Sequence, residues 1–434
     1  MFWFAYNFLF HIAYLLLLPH FLLRMRRRGG YRHGFGERIF HLSPEKAAVL
    51  QQGSWFWVHA VSVGEVNVAL SWMRAWRESH PGTRFLLTVN TSTGQAIARA
   101  HLHPDDLLLY PPVDSPPVLR RLFTRVRIQA VLLVETEVWP NLLRQATRRH
   151  LPVFLYNGRV SDRSFRRLRR IPWLTRRVYP LLDLCLMQSA DDAERIAHLG
   201  ARSDRIRTLP TSKYDVDPPV EAEIARRRQQ LQDCGWLPAR SLVLLGASTW
   251  PGEEAALAGI AADLRRGCPG LRLILVPRHA ERAAEVTAEL AAAGHSVARW
   301  SQPGSVTATT EILLVDTTGE LRHFTGLADW VFVGKSLFRP EGQNPLEAAV
   351  AGKTIFTGSG MRNFHEVMED LRGADAVREV ADPDALKAVF ELALQDPDAA
   401  AAMGARARAL VETRRGGVAL AVAAVAAQLS GNPP

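Results

Sequence analysis

Two kinds of residue in this chain could carry chemistry: carboxylates at the starts of helices, and basic or hydroxyl side chains directly after short apolar runs. The first kind stands in His59-Ala60-Val61-Ser62-Val63-Gly64-Glu65-Val66-Asn67. Before it, Trp55-Phe56-Trp57-Val58 has the aromatic and β-branched character of a strand; after it, Val66, Ala69, Leu70, Met73 and Trp76 recur at helical spacing. The period changes near Gly64, where glycine permits a tight strand-to-helix turn and the free N–H groups of the new helix can hold an anion. Glu65 is therefore a candidate general base. Acids at helix starts also complement the helix dipole, and on this stretch alone that structural role outweighs the chemical one.

The second kind recurs through the chain. Asn90-Thr91-Ser92-Thr93-Gly94, Glu135-Thr136-Glu137 and Asn157-Gly158-Arg159 each follow an apolar run, as do Gly246-Ala247-Ser248-Thr249, Pro277-Arg278-His279, Asp316 to Leu321, Gly334-Lys335-Ser336 and Thr357 to Gly360. Small hydroxyl and glycine loops offer N–H groups to a phosphate, and Arg278 can pair with one directly. Asn344-Pro345-Leu346-Glu347 has the form of an N-cap, a proline at the first helical position and a capping-box acid, so Glu347 is either a cap or a ligand for ribose hydroxyls. No Gly-x-Gly-x-x-Gly or Walker pattern is present, which argues against dinucleotide oxidoreduction and ATP hydrolysis.

The elements that must position these residues alternate between strand and helix, the pattern of a parallel sheet wrapped by helices. Expected strands in the first half are Ser54 to Ala60, Arg84 to Val89, Ala130 to Val134, Pro152 to Tyr156 and Leu184 to Met187. In the second half they are Ser241 to Leu245, Leu271 to Val276, Ile312 to Val315, Trp330 to Val333 and Thr354 to Phe356. The expected fold class is α/β, with two Rossmann-like domains facing each other across a cleft and ligands beyond the carboxyl ends of the strands. The expected division is an anchor and basic flank over 1–28, a first domain over 29–212, a linker over 213–240 containing Pro218-Pro219, and a second domain with terminal helices over 241–434.

At 434 residues two domains are the default, and a hydrophobic share of 47% excludes general disorder. The net charge of +10 comes mainly from arginine, which grips phosphate and carboxylate in a fork. Between Arg144 and Arg177 there are eleven arginines and one acid, Asp162, a face suited to an anionic membrane or to phosphates, or else simply a solvated surface. Nucleic acid is not expected, because no recognised binding motif accompanies the charge. The three cysteines show neither disulfide nor zinc spacing, which points to a reducing compartment. Phe2 to Leu23 is an apolar run followed by Arg24, Arg26, Arg27 and Arg28; by the positive-inside rule the chain is expected on the cytoplasmic face of a membrane. Pro19-His20 leaves open whether the run spans the bilayer or lies in its interface.

Taken together, these motifs resemble the Kdo (3-deoxy-D-manno-octulosonic acid) transferases of lipopolysaccharide inner-core synthesis. The resemblance rests on Gly36-Glu37-Arg38, His59 to Glu65, Glu135 to Asn141, Asn157 to Ser164, Lys213-Tyr214-Asp215, Pro277-Arg278-His279, Gly319-Glu320-Leu321, Asn344 to Glu347 and Asn363-Phe364, in that order. It implies a GT-B fold, an inverting transfer of Kdo from CMP-Kdo to a lipid A precursor (lipid IVA), and attachment to the cytoplasmic face of the inner membrane. It also implies Glu65 as general base, Glu135 and Lys213 as supports of the transition state, and Pro277, Arg278, Gly319, Glu320, Leu321, Asn344, Pro345, Leu346 and Glu347 as the CMP site. No cofactor and no metal are expected. The chain departs from the pattern at Trp250-Pro251, where members usually carry His-Glu, at Gln343, usually His, and in the loop Pro210-Thr211-Ser212 before Lys213, where a Gly-Asn pair is usual. Trp250 and Gln343 keep one alternative open, a GT-B transferase using another sugar nucleotide; a second, of a different class, is a non-catalytic membrane-bound sensor of glycolipid or nucleotide, against which the intact Glu65, Glu135 and Lys213 set argues.

Overall fold

The computed structural model describes residues 2–28, 34–302 and 304–431, with backbone alone over 18–28. The chain forms two compact units: the residues up to Asp215 together with those from Gly416 onward, and Val216–Arg415.

Unit 1 is built on a seven-stranded sheet of β1 (Ser54–Ala60), β2 (Phe85–Val89), β3 (Leu107–Leu109), β4 (Arg127–Val134), β5 (Val153–Gly158), β6 (Leu184–Met187) and β7 (Ile206–Thr208), in the order 3-2-1-4-5-6-7. Every pairing is parallel. A sheet covered by helices on both faces buries both sides of each strand, which is why β1 reads as a continuous apolar run and not as an alternation. Trp55 and Trp57 enter the core on one face, Phe56, Val58 and Ala60 the core on the other.

The last helix, Gly417–Leu429, belongs to this unit. Its Val418, Ala421, Val422 and Val425 complete the core formed with the helix Val63–Ser79. Asp215 holds it there, its carboxylate accepting from Gly416 N at 2.6 Å and Val418 N at 2.7 Å. The division read from the sequence therefore changes at both ends. Residues 213–215 are part of unit 1 and not of a linker, and residues from 416 leave the second half. The polar helix Glu221–Asp233, expected to be linker, packs Ile224, Arg227 and Leu231 into unit 2.

Phe2–Arg28 is one helix, and among the described residues no helix is long and apolar enough to cross a membrane. Its first turns lie on unit 1: Trp3 packs against the core, Arg144 stacks over Trp3 at 4.7 Å, Arg177 over Phe2 at 4.5 Å, and His11 Nε2 is 3.1 Å from Ser115 Oγ. Phe4, Phe8, Leu9, Leu15 and Leu16 face outward and are exposed. The side chains of the arginine flank at 24–28 lie outside the described residues.

Unit 2 repeats the design with β8 (Leu242–Thr249), β9 (Leu271–Pro277), β10 (Val297–Arg299), β11 (Ile312–Leu314), β12 (Trp330–Val333), β13 (Thr354–Gly358) and β14 (Arg378–Val380), in the order 10-11-9-8-12-13-14, all parallel. Each unit is thus a doubly wound sheet with one point where successive connections diverge, between β1 and β4 in unit 1 and between β8 and β12 in unit 2.

Candidate active site

Glu65 lies where the connections of unit 1 diverge. The helix Val63–Ser79 is capped by Ser62, whose Oγ accepts from Glu65 N at 3.3 Å, while the Glu65 carboxylate accepts from Val61 N at 2.8 Å and Ser62 N at 3.2 Å. This is a complete capping box, so the structural role of the acid is real. It does not exhaust the group: an ionised carboxylate has about four lone-pair sites and two are occupied here. Gly64 needs no unusual backbone; a Cβ there would meet nothing nearer than Ser62 Oγ at 3.8 Å, so its use is to leave the helix start open. Burial raises the Glu65 carboxyl above its usual value against the pull of the Val61 N–H and Ser62, and the charges of Glu135 and Glu137 push the same way. The helix start alone is therefore not what sets its ionisation. The spacing Ser62-x-x-Glu65 is the sequence signature of this box.

Glu135 follows β4, the neighbour of β1, and adopts φ 60, a left-handed conformation that costs a non-glycine residue about 1–2 kcal/mol. Asn157 near the end of β5, Ser248 near the end of β8 and Lys335 after β12 do the same, with φ of 54, 53 and 57. Strain of this kind gathers where side chains must be aimed. Beneath Glu135 the loop is fixed by Glu137, which accepts from Trp139 Nε1 at 2.9 Å and lies 3.9 Å from His59 Nε2. Burial alone would raise Glu137, but those partners hold it below its usual value. His59 is buried and shares a hydrogen bond of 2.9 Å with Thr88 Oγ1. After β2 the cap is Thr91, and its hydroxyl donates to Val61 O at 3.1 Å, joining this turn to the one before Glu65.

Lys213 sits in a 3-10 turn, Ser212–Tyr214, that Asn157 ties to the end of β5: Asn157 Oδ1 accepts from Thr211 Oγ1 at 3.3 Å and Ser212 N at 3.4 Å. The turn is anchored by Tyr214, which is buried. Glu65, Glu135 and Lys213 are thus all carried by unit 1, above the carboxyl ends of its strands.

In unit 2, Pro277 ends β9 and Arg278 N donates to Thr249 O at 3.1 Å. Arg278 lies within electrostatic reach of Glu347: burial raises the Glu347 carboxyl, and Arg278 and Arg322 draw it back down. The expected cap at Asn344 takes a different form. Asn344 Oδ1 accepts from Leu346 N at 3.1 Å, and the short helix Leu346–Val350 begins after Pro345, which makes no side-chain capping bond, with Glu347 in its first turn. Gly319 has φ 84, and Glu320 precedes the helix Leu321–Leu327. Glu320 accepts from Arg227 Nε at 2.8 Å and Nη2 at 2.5 Å, so it is committed to a buried arginine from the segment read as linker. That pairing spans 93 residues and has no local signal in the sequence. Among the described residues no group of three or more His, Cys, Asp or Glu side chains is placed to hold a metal ion.

Comparison with known proteins adds three findings. Residues 33–216 match the 3-deoxy-D-manno-octulosonic-acid transferase (kdotransferase) family. The chain is 33% identical to the 3-deoxy-D-manno-octulosonic acid transferase of Bordetella pertussis over 416 residues, covering 91% of each, and 30% identical to that of Haemophilus influenzae over 382 residues, covering 88% of this chain and 86% of the relative. The structure of UDP-GlcNAc 2-epimerase from Neisseria meningitidis superposes with a TM-score of 0.54 at 12% identity over 88% of this chain and 100% of that one, a likeness of fold. Two doubly wound parallel units make up the GT-B architecture that the motifs implied.

Proposed function

Because the chain belongs to the 3-deoxy-D-manno-octulosonic acid transferases and is a glycosyltransferase moving Kdo in lipopolysaccharide core synthesis, we propose that its donor is CMP-Kdo, its acceptor lipid IVA, and Glu65 its general base. The observation that carries this reading is the pair Glu65 and Glu135 at the carboxyl ends of adjacent strands β1 and β4, where the connections diverge. The acceptor hydroxyl attacks the anomeric carbon of Kdo, its proton passes to a free lone pair of Glu65, and the bond from that carbon to the CMP phosphate breaks, with inversion. A carboxyl raised by burial and by two neighbouring acids is a better proton acceptor than an exposed one. Glu135 and Lys213 support the charge that develops.

Unit 2 holds the nucleotide. Arg278 pairs with its phosphate, Glu347 accepts from the ribose hydroxyls, and the Gly319-Glu320-Leu321 turn and the Asn344-Pro345-Leu346 turn present backbone N–H groups. No metal takes part. The exposed row of Phe4, Phe8, Leu9, Leu15 and Leu16, beside the arginines of 144–177, suits a helix lying in the interface of an anionic membrane, on the cytoplasmic side of the inner membrane where a lipid acceptor resides.

The test is transfer by the full chain from CMP-Kdo to lipid IVA, with and without EDTA, followed by the mass of the product. An EDTA-insensitive gain of one or more Kdo masses is expected. Preference for a uridine or guanosine sugar nucleotide would favour the other transferase reading, and binding without transfer the sensor.

A further inference from the structure

In unit 2 the point of divergence falls between β8 and β12, and ligands of open α/β sheets bind at such points. The residues there are Thr249-Trp250 and Gly334-Lys335-Ser336, and the two turns touch: a Cβ on Gly334 would stand 2.5 Å from Ser248 O. One buried carboxylate ties them together. Glu253 accepts from Trp250 N at 2.9 Å, Lys335 N at 2.7 Å, Ser336 N at 2.9 Å and Leu337 N at 3.0 Å.

Within this clasp Lys335 holds φ 57, a conformation that glycine adopts freely and lysine does not. Its Nζ stands 4.6 Å over the Trp250 ring, and the His279 ring packs edge-on against the same indole at 5.4 Å. The ammonium is partly exposed, and the carboxylate facing it is Glu341 at 3.8 Å, a long and loose pairing. The backbone around it reaches both parts of the nucleotide site. Thr249 O accepts from Arg278 N at 3.1 Å, Lys335 O from Gly342 N at 2.8 Å, and Gly334 O from Gln343 N at 3.1 Å, next to Asn344. A strained backbone and an aromatic seat hold this cation over Trp250, next in the chain to Thr249, whose carbonyl takes the Arg278 N–H, where a plain surface lysine would need neither.

We propose that Lys335, seated on Trp250, is a second cation of the donor site and pairs with an oxyanion of the donor, either the nucleotide phosphate or the carboxylate of the sugar. The inference rests on the assignment of unit 2 to the donor and adds a binding residue to it. An anion displaces Glu341 and meets an ammonium already oriented and partly stripped of water by the indole.

The test uses the full chain carrying Lys335→Gly, Lys335→Met or Lys335→Arg, with CMP and cytidine binding by calorimetry and CMP-Kdo saturation kinetics. Lys335→Gly suits the backbone and keeps the variant folded. If the phosphate is the partner, CMP binding falls about tenfold in Gly and Met while cytidine is unchanged. If the sugar carboxylate is the partner, CMP is unchanged and KM for CMP-Kdo rises about tenfold with kcat kept. In both cases Arg restores most of the loss. Unchanged CMP binding together with unchanged KM in Lys335→Gly overturns the proposal, as does equal weakening of CMP and cytidine. Should the wild type prefer another nucleoside monophosphate, the CMP reading fails and the same comparison on that nucleotide decides Lys335. A wild type that binds no nucleotide overturns both.

Discussion

Replacing Glu65 by glutamine and, separately, Ser62 by alanine separates the two tasks of one carboxylate. In Glu65→Gln the amide must turn its NH2 toward Val61 N or Ser62 N, so at least one of the bonds at 2.8 and 3.2 Å becomes a donor facing a donor. A hydrogen bond to a charged group contributes about 1.5–3 kcal/mol. Removing the buried charge returns part of its desolvation cost, which is the largest influence on this group. The net loss is about 1–2 kcal/mol. For a unit of this size melting then falls by roughly 2–8 °C. Ser62→Ala removes the 3.3 Å bond from Glu65 N. Loss of an N-cap costs about 1 kcal/mol, so the two variants melt close together. Their rates diverge, because loss of a general base lowers turnover about 10²–10⁴-fold, whereas Ser62→Ala keeps the carboxylate and most of the rate. Thermal melts beside product mass measured over time read both effects. Turnover of Glu65→Gln within about tenfold of wild type, below the range for a general base, would refute the assignment. Equal losses in the two variants would show that only the cap matters.

The raised carboxyl of Glu65 gives kcat/KM an acid limb above the ordinary glutamate range, since the base works ionised and activity grows as pH rises through its pKa. Glu137→Gln removes one of the two charges that raise it and moves the limb to lower pH; a limb that stays in place or moves up contradicts this account. Cys185 is buried in the core of unit 1 and its thiol is pushed up to about 12 by burial, so iodoacetamide at pH 8 should label Cys234 and Cys268 in the folded protein and reach Cys185 only after denaturation, as peptide masses will show.

The central strands were legible because they are buried on both faces and read as unbroken apolar runs. β1, β6 and β12 fall where expected, and β4, β8 and β13 extend a few residues further. The strands not foreseen are β3, β7, β10 and β14, each three residues long and at or next to a sheet edge; Ile206-Arg207-Thr208 and Arg378-Glu379-Val380 carry charge because an edge strand is only half covered. Placement of Glu65 at the helix start that follows β1, and of Glu135 and Arg278 directly after strands, was visible from periodicity, and that is why so much of the candidate site could be named. Partners distant in the chain could not be. Arg227 sits in a helix that reads as solvated, yet it is buried against Glu320. Lys213 reads as linker charge until Asn157 is seen to hold its turn. An alanine-rich helix near the end of the chain says only that one face is apolar, and nothing of the sheet it covers.

The docking of that last helix governs how the protein is made. Unit 1 is discontinuous, and Asp215 waits through 200 residues of synthesis for the N–H groups of Gly416 and Val418. On the ribosome the usual N-to-C order of domain completion is therefore reversed: Val216–Arg415 can close its own core while the first unit is still missing its final layer. Until the helix Gly417–Leu429 has been made, the face it shares with the helix Val63–Ser79, where Trp72 and Trp76 belong to the common core, lies open to water. Emergence and docking of the helix Gly417–Leu429 is the step that covers that apolar surface.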